Sequence, residues 1–415
     1  MRKILRYSFV IGINLAIFVG VLGGLEYAAR KIQQRRLGVT ALLPASYMDR
    51  WTAWRNAPDF HRIDIRHDRQ GFRRQMDVSV QKPAGTVRIF FLGGSAAYGC
   101  EGLYPQLDPG WQRLYTRDLI DAYLEKKLQQ RHPERHWEVI NAATNEFRLH
   151  QHLGLIYSQL LRYHPDLMIF MDGHNDISGI MSSTTDPYDA YAETGHAAEF
   201  QNMVYPRSLR SLFVVNAAWL RNNSVVFEIL QRRMQALKHD PSFGPGADPS
   251  EPVAEHVQFS DLSPAAQQRA KDRLRQAGYY AQECARLQHA LEFEGIPAVF
   301  SLQPELILSP KPMTAVEAKF SDYTRQNNRR YITYMYQELS ATISREMAES
   351  CQRNGSIFVD LGGTFQGVRE KTFTDYCHLT PRGNELIAER LYQAIAPTLV
   401  PKLITATAPA VSSAN

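Results

Sequence analysis

The sequence is sparing with cysteine. It has four, Cys100, Cys284, Cys351 and Cys377, and their spacing fits no zinc pattern. An oxidising compartment would permit three disulfide pairings among them, and buried free thiols are an equal alternative. There is no Walker lysine and no G-x-G-x-x-G turn, which argues against a nucleotide phosphate site. There is no internal repeat. The body also lacks a basic excess. The chain carries +5, but residues 1–36 hold seven basic groups and one acid, which leaves −1 for residues 37–415. A nucleic-acid-binding surface is therefore not expected.

What the chain does have is one long uncharged run. "SFVIGINLAIFVGVLGGL", Ser8 to Leu25, spans 18 residues with a single amide, Asn14. As a helix it covers roughly 27 Å, about the hydrocarbon thickness of a bilayer. It exceeds a signal-peptide core, and no clean small-x-small site follows it. The reading is an uncleaved single-pass anchor within residues 1–36; a cleaved signal or a buried core helix is the alternative. Basic residues flank both ends. A short basic head before a first apolar segment favours a cytoplasmic N-terminus, with the body on the periplasmic or extracytoplasmic side.

Residues 37–85 read as an irregular lead-in, with "RHDRQGFR" (66–73) as a turn signal. Strand-like and helix-like segments then alternate. The strands are "VRIFFLGG" (87–94), "WEVINAA" (137–143), "DLMIFMDG" (166–173), "IPAVFSLQP" (296–304) and "SIFVDL" (356–361). Helical spacing covers 114–131, 152–164, 263–293, 318–353 and 382–399. This pattern predicts an α/β domain over 86–405, with a parallel sheet covered on both faces. The stretch 182–258 breaks the alternation and reads as an insertion. The tail 406–415 has no packing face.

In open α/β sheets, ligands bind beyond the carboxyl ends of the strands. Ser95 follows the first strand. Thr144, Asn145 and Glu146 follow the second. His174, Asn175 and Asp176 follow the third, and Asp375 and His378 lie in the loop after the last. One sheet edge thus collects a hydroxyl, imidazoles, amides and carboxylates, the set that acyl transfer needs. The competing readings are a helix cap for Ser95 and a turn at Asn175–Asp176. A metal site built from His174, Asp176, Asp375, Cys377 and His378 lacks compact ligand spacing.

Three blocks carry a resemblance. "FFLGGSAAYG" (90–99), "GHND" (173–176) and "DYCHLTPRGNELIAERL" (375–391) resemble, in order, the nucleophile block, the Gly-x-Asn-Asp block and the closing Asp-x-x-His block of the SGNH, or GDSL, hydrolase superfamily. "GFR" (71–73) and "QP" (303–304) look like features of its membrane-anchored members. The resemblance spans roughly 66–400, apart from the insertion. It implies a three-layer α/β/α fold with a flavodoxin-like five-stranded parallel sheet. It implies Ser95 as nucleophile, His378 as base and Asp375 as the residue that orients it. Asn175 and the backbone N–H of Ser95 would form the oxyanion hole. The chain departs from the family twice. Gly94 stands where an acid is common. The second block has no glycine, and Glu146 stands at the position whose backbone N–H would be the third oxyanion donor, with Thr144 and Asn145 as neighbouring alternatives.

The implied function is a membrane-anchored serine esterase, with an acyl-ester substrate such as an acetylated glycan. An O-acyltransferase on envelope or secreted polysaccharide would use the same residues. A catalytically inactive envelope binding or assembly protein is the alternative of a different class. The mechanism requires no metal and no organic cofactor. Tyr188, Tyr191 and Trp219, in the insertion, are candidates for stacking against substrate.

Overall fold

The computed structural model describes residues 2–37, 45–62, 64–102, 107–108, 110, 113–182, 224, 226–227, 230, 256–327 and 330–405. Most of the expected insertion, with Tyr188, Tyr191 and Trp219, and the tail 406–415 lie outside the described residues.

Among the described residues one helix, α1 (Arg2–Leu37), is long and apolar enough to cross a membrane. Its apolar window runs over Gly12–Ile32 and is not covered by the rest of the protein. This overlaps the expected span and extends past Leu25. Two of the charges this extension takes in are paired across one helical turn: Arg30 Nε lies 2.6 Å from Glu26 Oε1.

The segment expected as an irregular lead-in carries a hairpin, β1 (Ser46–Asp49) and β2 (Ala53–Asn56), with Tyr47 opposite Arg55. Asp49 closes its turn by accepting from the N–H groups of Trp51 and Thr52 at 2.9 and 3.0 Å. The same segment buries Trp54, Phe60, Phe72 and Val78. It is therefore packed into the body, and apolar residues without regular spacing give little sign of that in sequence.

The main sheet has five parallel strands, β3 (Thr86–Gly93), β4 (His136–Asn141), β5 (Leu167–Asp172), β6 (Ala298–Leu302) and β7 (Ile357–Asp360). Their order is β4-β3-β5-β6-β7, the flavodoxin-like arrangement. The strand period of two splits β3 between two cores. Val87, Ile89 and Phe91 face one apolar cluster, while Phe90 and Leu92 face the other. The first cluster is closed by α2 (Ser95–Tyr98), α3 (Ile120–Arg131), α8 (Ala315–Asn327), α10 (Pro381–Ile395) and α11 (Val400–Thr405). The second is closed by α4 (Leu149–Leu155), α5 (His174–Ser182), α6 (Pro264–Leu274), α7 (Ala277–Phe293) and α9 (Arg330–Arg353). The expected helix 263–293 is broken into α6 and α7, because the Gln276 N–H turns back to Arg273 O at 2.9 Å and closes α6 early. All four cysteines are free thiols. Cys284 and Cys351 lie in hydrogen-bond contact between α7 and α9, which with burial pushes the Cys284 thiol pKa up.

The order reverses at β3: β4 lies on one side of it and β5 on the other. The carboxyl ends of these three strands therefore open a crevice, and the loops leaving them carry the residues singled out above.

Candidate active site

The chain leaves β3 through two glycines that each stand in a tight place. Gly93 has φ +154, and any Cβ there would collide with Met171 O on the neighbouring strand. A Cβ on Gly94 would collide with Asn175 Nδ2. With both side chains absent, the backbone turns at once into α2, and Ser95 takes its first position. There the Ser95 N–H has no intrahelical acceptor. Gly99 ends the helix in the left-handed region at φ +85, where glycine carries little cost.

The Asp375–His378 loop is pinned as a tight hairpin. Phe373 and Leu379 form an isolated antiparallel bridge, and Thr374 N–H donates to His378 O at 2.9 Å. Glu317 on α8 accepts from the N–H groups of Thr372 and Phe373. Thr380 caps α10 by accepting from Gly383 N–H at 3.1 Å, with Pro381 following it. Such a cap is worth about 1 kcal/mol, and it fixes where the loop ends.

That loop completes a relay with Ser95. His378 Nε2 is 2.9 Å from Ser95 Oγ, and His378 Nδ1 is 2.7 Å from Asp375 Oδ2. Asp375 is fully buried. Its Oδ1 accepts from the N–H groups of Cys377 and His378 at 2.8 and 2.7 Å. Burial alone would raise its pKa. The facing His378 and these donors outweigh burial and hold it at about 2. Asp375 is thus an anion at neutral pH, placed to keep the His378 proton on Nδ1 and leave Nε2 free to accept from Ser95. The stability this depressed pKa confers is present above about pH 4 and is lost as pH falls toward 2.

The second-block loop runs beside the end of β3. Ala142 and Thr144 N–H donate to Phe91 O and Gly93 O at 2.9 and 3.1 Å. Phe147 O accepts from Asn175 Nδ2 at 2.9 Å. Glu146 lies between these two ties, so its backbone passes the Gly94–Ser95 turn. It has φ +62, in the left-handed region that favours glycine. The loop therefore takes, at an acidic residue, a conformation that glycine adopts at little cost. The carboxylate is on an exposed residue with no ion pair among the described residues, and the Glu146 N–H has no acceptor there. Glu146→Gly is expected to relieve about 1 kcal/mol of backbone strain, which offsets the similar entropy that glycine costs in the unfolded chain. The expected outcome is a melting temperature within roughly 3 °C of the parent and activity that is retained or higher. A thermal melt and an ester-release assay on the variant check both.

No protein-family model matches this chain, and no curated protein matches it. It overlaps with several solved structures. LAE5, an alpha/beta hydrolase from the metagenome of Lake Arreo, Spain, shares 13% identity at a TM-score of 0.36, over 75% of this chain and 95% of that one. The acetyl xylan esterase AlAXEase shares 10% at 0.35, over 74% and 100%. Axe2, an acetylxylan esterase from Geobacillus stearothermophilus, shares 13% at 0.35, over 74% and 94%. These likenesses are distant.

Several residues that brace the site had no assigned role in the sequence. Arg73, of the "GFR" stretch, is fully buried. It donates to the carbonyls of Tyr98, Gly99 and Leu114 and lies over the Tyr98 ring, so it ties down the far end of α2. Trp54 Nε1 donates to Asn145 O, and Asn56 Nδ2 to Ala143 O, both at 2.9 Å. The hairpin after the apolar helix thus supports the second-block loop. Gln303, of the "QP" pair, donates through its N–H to Asp172 O and through Nε2 to Cys377 O. A lone buried arginine or glutamine has no periodicity, so only the two short motifs hinted at these contacts.

Asp375, Cys377 and His378 bring ligand-type atoms within 4.8 Å of one another. Both Asp375 oxygens are already occupied by N–H donors. Burial, together with the Asp375 charge, pushes the Cys377 thiol up and keeps it protonated. The trio is therefore poorly suited to a cation.

Asp176 follows Asn175 in the first turn of α5 and supports the start of the neighbouring helix, α4. Its Oδ1 accepts from Leu149 N–H at 3.2 Å, while its Oδ2 is buried without a partner among the described residues. Burial, and next the Asp172 charge, raise its pKa to about 7. A raised acid stabilises the fold below its unfolded pKa near 4 and loses that contribution as pH rises to about 7. Asp176→Asn is therefore expected to flatten the fall in melting temperature between pH 5 and pH 8. An unchanged slope would remove Asp176 as its source.

Proposed function

We propose that this chain is a serine esterase that works through an acyl-enzyme on Ser95. The observation that carries the reading is the continuous relay from Ser95 Oγ through His378 to a buried, ionised Asp375. His378 takes the Ser95 proton as Oγ attacks the ester carbonyl. Asn175 Nδ2 and the N–H groups of Ser95 and Glu146 receive the charge that develops on the carbonyl oxygen, each donor contributing roughly 3 kcal/mol to the transition state. The alcohol leaves with the proton held by His378, and water then resolves the acyl-enzyme by the same route in reverse.

Two further elements belong to the proposal. The apolar helix α1 tethers the enzyme to a membrane, with the body on the extracytoplasmic side. The substrate is an acylated carbohydrate, the class that the SGNH-like blocks and an exterior location favour. An inactive binding protein is the weaker reading, because Ser95, His378 and Asp375 lie in one hydrogen-bonded chain.

The test is to incubate the full chain in detergent micelles with an acetylated oligosaccharide, with and without a second unacetylated glycan. Free acetate released by the parent and not by Ser95→Ala supports the esterase. Acetyl groups moving to the added glycan faster than to water would make it an acyltransferase. Neither product from a folded protein would sink both.

A further inference from the structure

One buried imidazole beside the site takes no part in the relay. His174 Nδ1 lies 2.6 Å from Glu305 Oε1, and the two side chains are only 7% and 3% exposed. The His174 ring packs on Tyr376 and Tyr336, with centroids 5.5 and 6.1 Å away. Burial disfavours a charged ring, but the Glu305 carboxylate outweighs it and raises the His174 pKa. Burial raises Glu305 as well, so the pair holds its shared proton tightly. Nδ1 is thereby committed to the carboxylate. Among the described residues Nε2 has no hydrogen-bond partner, and the 7% exposure of the side chain leaves a narrow opening to the ring. Glu305 Oε2, in contrast, is sealed and unpartnered. The carboxylate serves the ring and nothing else among the described residues.

The position of His174 gives this dyad a direction. It immediately precedes Asn175, whose amide abuts Gly94. On its other flank it packs at a tilt against Tyr376, between Asp375 and Cys377 in the loop that holds His378. Glu305 belongs to the same brace, since Leu306 N–H donates to Tyr376 O at 2.8 Å. When an ester is cleaved by such a relay, the acyl oxygen lies toward the oxyanion donors. The alcohol oxygen lies toward the base, because it takes the proton His378 removed from Ser95. His174 sits on the base-loop side of Asn175.

We infer that the Glu305–His174 dyad forms the subsite for the alcohol part of the ester, and that it selects alcohols bearing a second hydroxyl, as a sugar does. This rests on the esterase reading above and deepens it. His174 Nε2 accepts from that hydroxyl when the ring is neutral and donates to its oxygen when the ring is charged. A hydroxyl can answer both, whereas a plain alkyl or aryl group answers neither. His174 keeps its proton count through the reaction. The bond that breaks is the ester C–O, the bond that forms is Ser95 Oγ–acyl, and the proton passes from Ser95 through His378 to the departing alcohol.

The experiment uses the full chain in detergent micelles with two substrates, a mono-acetylated hexose and 4-nitrophenyl acetate. It reads the ratio of their kcat/KM values. A first arm exposes the unmodified chain to a fluorophosphonate and reads its intact mass. In His174→Phe, which keeps a ring but loses both polar atoms, the hexose-to-aryl ratio is expected to fall about 10- to 100-fold, the effect of one hydrogen bond to a buried polar partner. His174→Gln, whose amide can donate and accept, is expected to recover part of the ratio. Glu305→Gln should lower it in the same direction, and it reads the same subsite if His174→Phe does not fold. A ratio that stays within about twofold of the parent, with both rates falling together or neither falling, would overturn the subsite. No adduct on Ser95 of the unmodified chain removes the esterase reading and the subsite with it. An adduct together with an unmoved ratio removes the subsite alone.

Discussion

His378→Ala is expected to lower ester turnover by on the order of 10⁴-fold or more, and to slow fluorophosphonate labelling of Ser95 by a comparable factor. A serine hydroxyl is almost wholly protonated at neutral pH, so its reactivity depends on the acceptor 2.9 Å away. Asp375→Asn should cost nearly as much, for a geometric reason. Asp375 Oδ1 is held by two backbone N–H groups, so an asparagine must turn its carbonyl toward them. Its NH₂ then faces His378 Nδ1. That forces Nδ1 to accept and Nε2 to carry the proton, the tautomer that cannot take one from Ser95. Intact-mass measurement after labelling of the parent, His378→Ala, Asp375→Asn and Ser95→Ala reads this directly. Labelling of His378→Ala within tenfold of the parent rate would show that Ser95 is activated by something else.

The parts of this arrangement that were legible in sequence are those tied to a strand end. β3 runs apolar from Ile89 to Leu92 and stops at two glycines, and β5 runs apolar from Leu167 to Met171 before Asp172 and Gly173, so the polar residues just beyond them stand out. The two-sided burial of the sheet was equally plain, because such strands read as continuous apolar stretches. Contacts made across long sequence distances left no such trace. Trp54 reaches Asn145 over 91 residues and Gln303 reaches Cys377 over 74, and neither spacing has a period to read. The conformation of Glu146 was hidden for a different reason. Its left-handed φ is imposed by ties at Thr144 and Phe147, whereas its side chain type argues against that region. Tertiary bonds there override local preference, as they do in the lead-in segment with its hairpin.

Gly94 is where the chain departs from the more common Gly-Asp-Ser pattern, and it gives the second large effect. Its φ of −85 is open to any residue, so backbone strain is not the issue. The obstacle is Asn175 Nδ2, which occupies the space a Cβ would need. Gly94→Ala must therefore push away the amide that the proposed mechanism uses as an oxyanion donor, along with its bond to Phe147 O. The Asn175 side chain is short and starts at a helix N-terminus, so it has little room to swing and return. Removal of one such donor costs about 10²- to 10³-fold in kcat. Gly94→Ala is expected to show a loss of that size with KM changed by less than about threefold, since the donor acts on charge that appears only in the transition state. Asn175→Ala should give a loss of similar size, and the double variant should lose little more than either single one, because both remove the same interaction. Full additivity of the two losses would mean that Gly94 serves the site by another route. In that case the Ser95 turn, held between Gly93 and Gly99, would be the part that the added methyl group displaces.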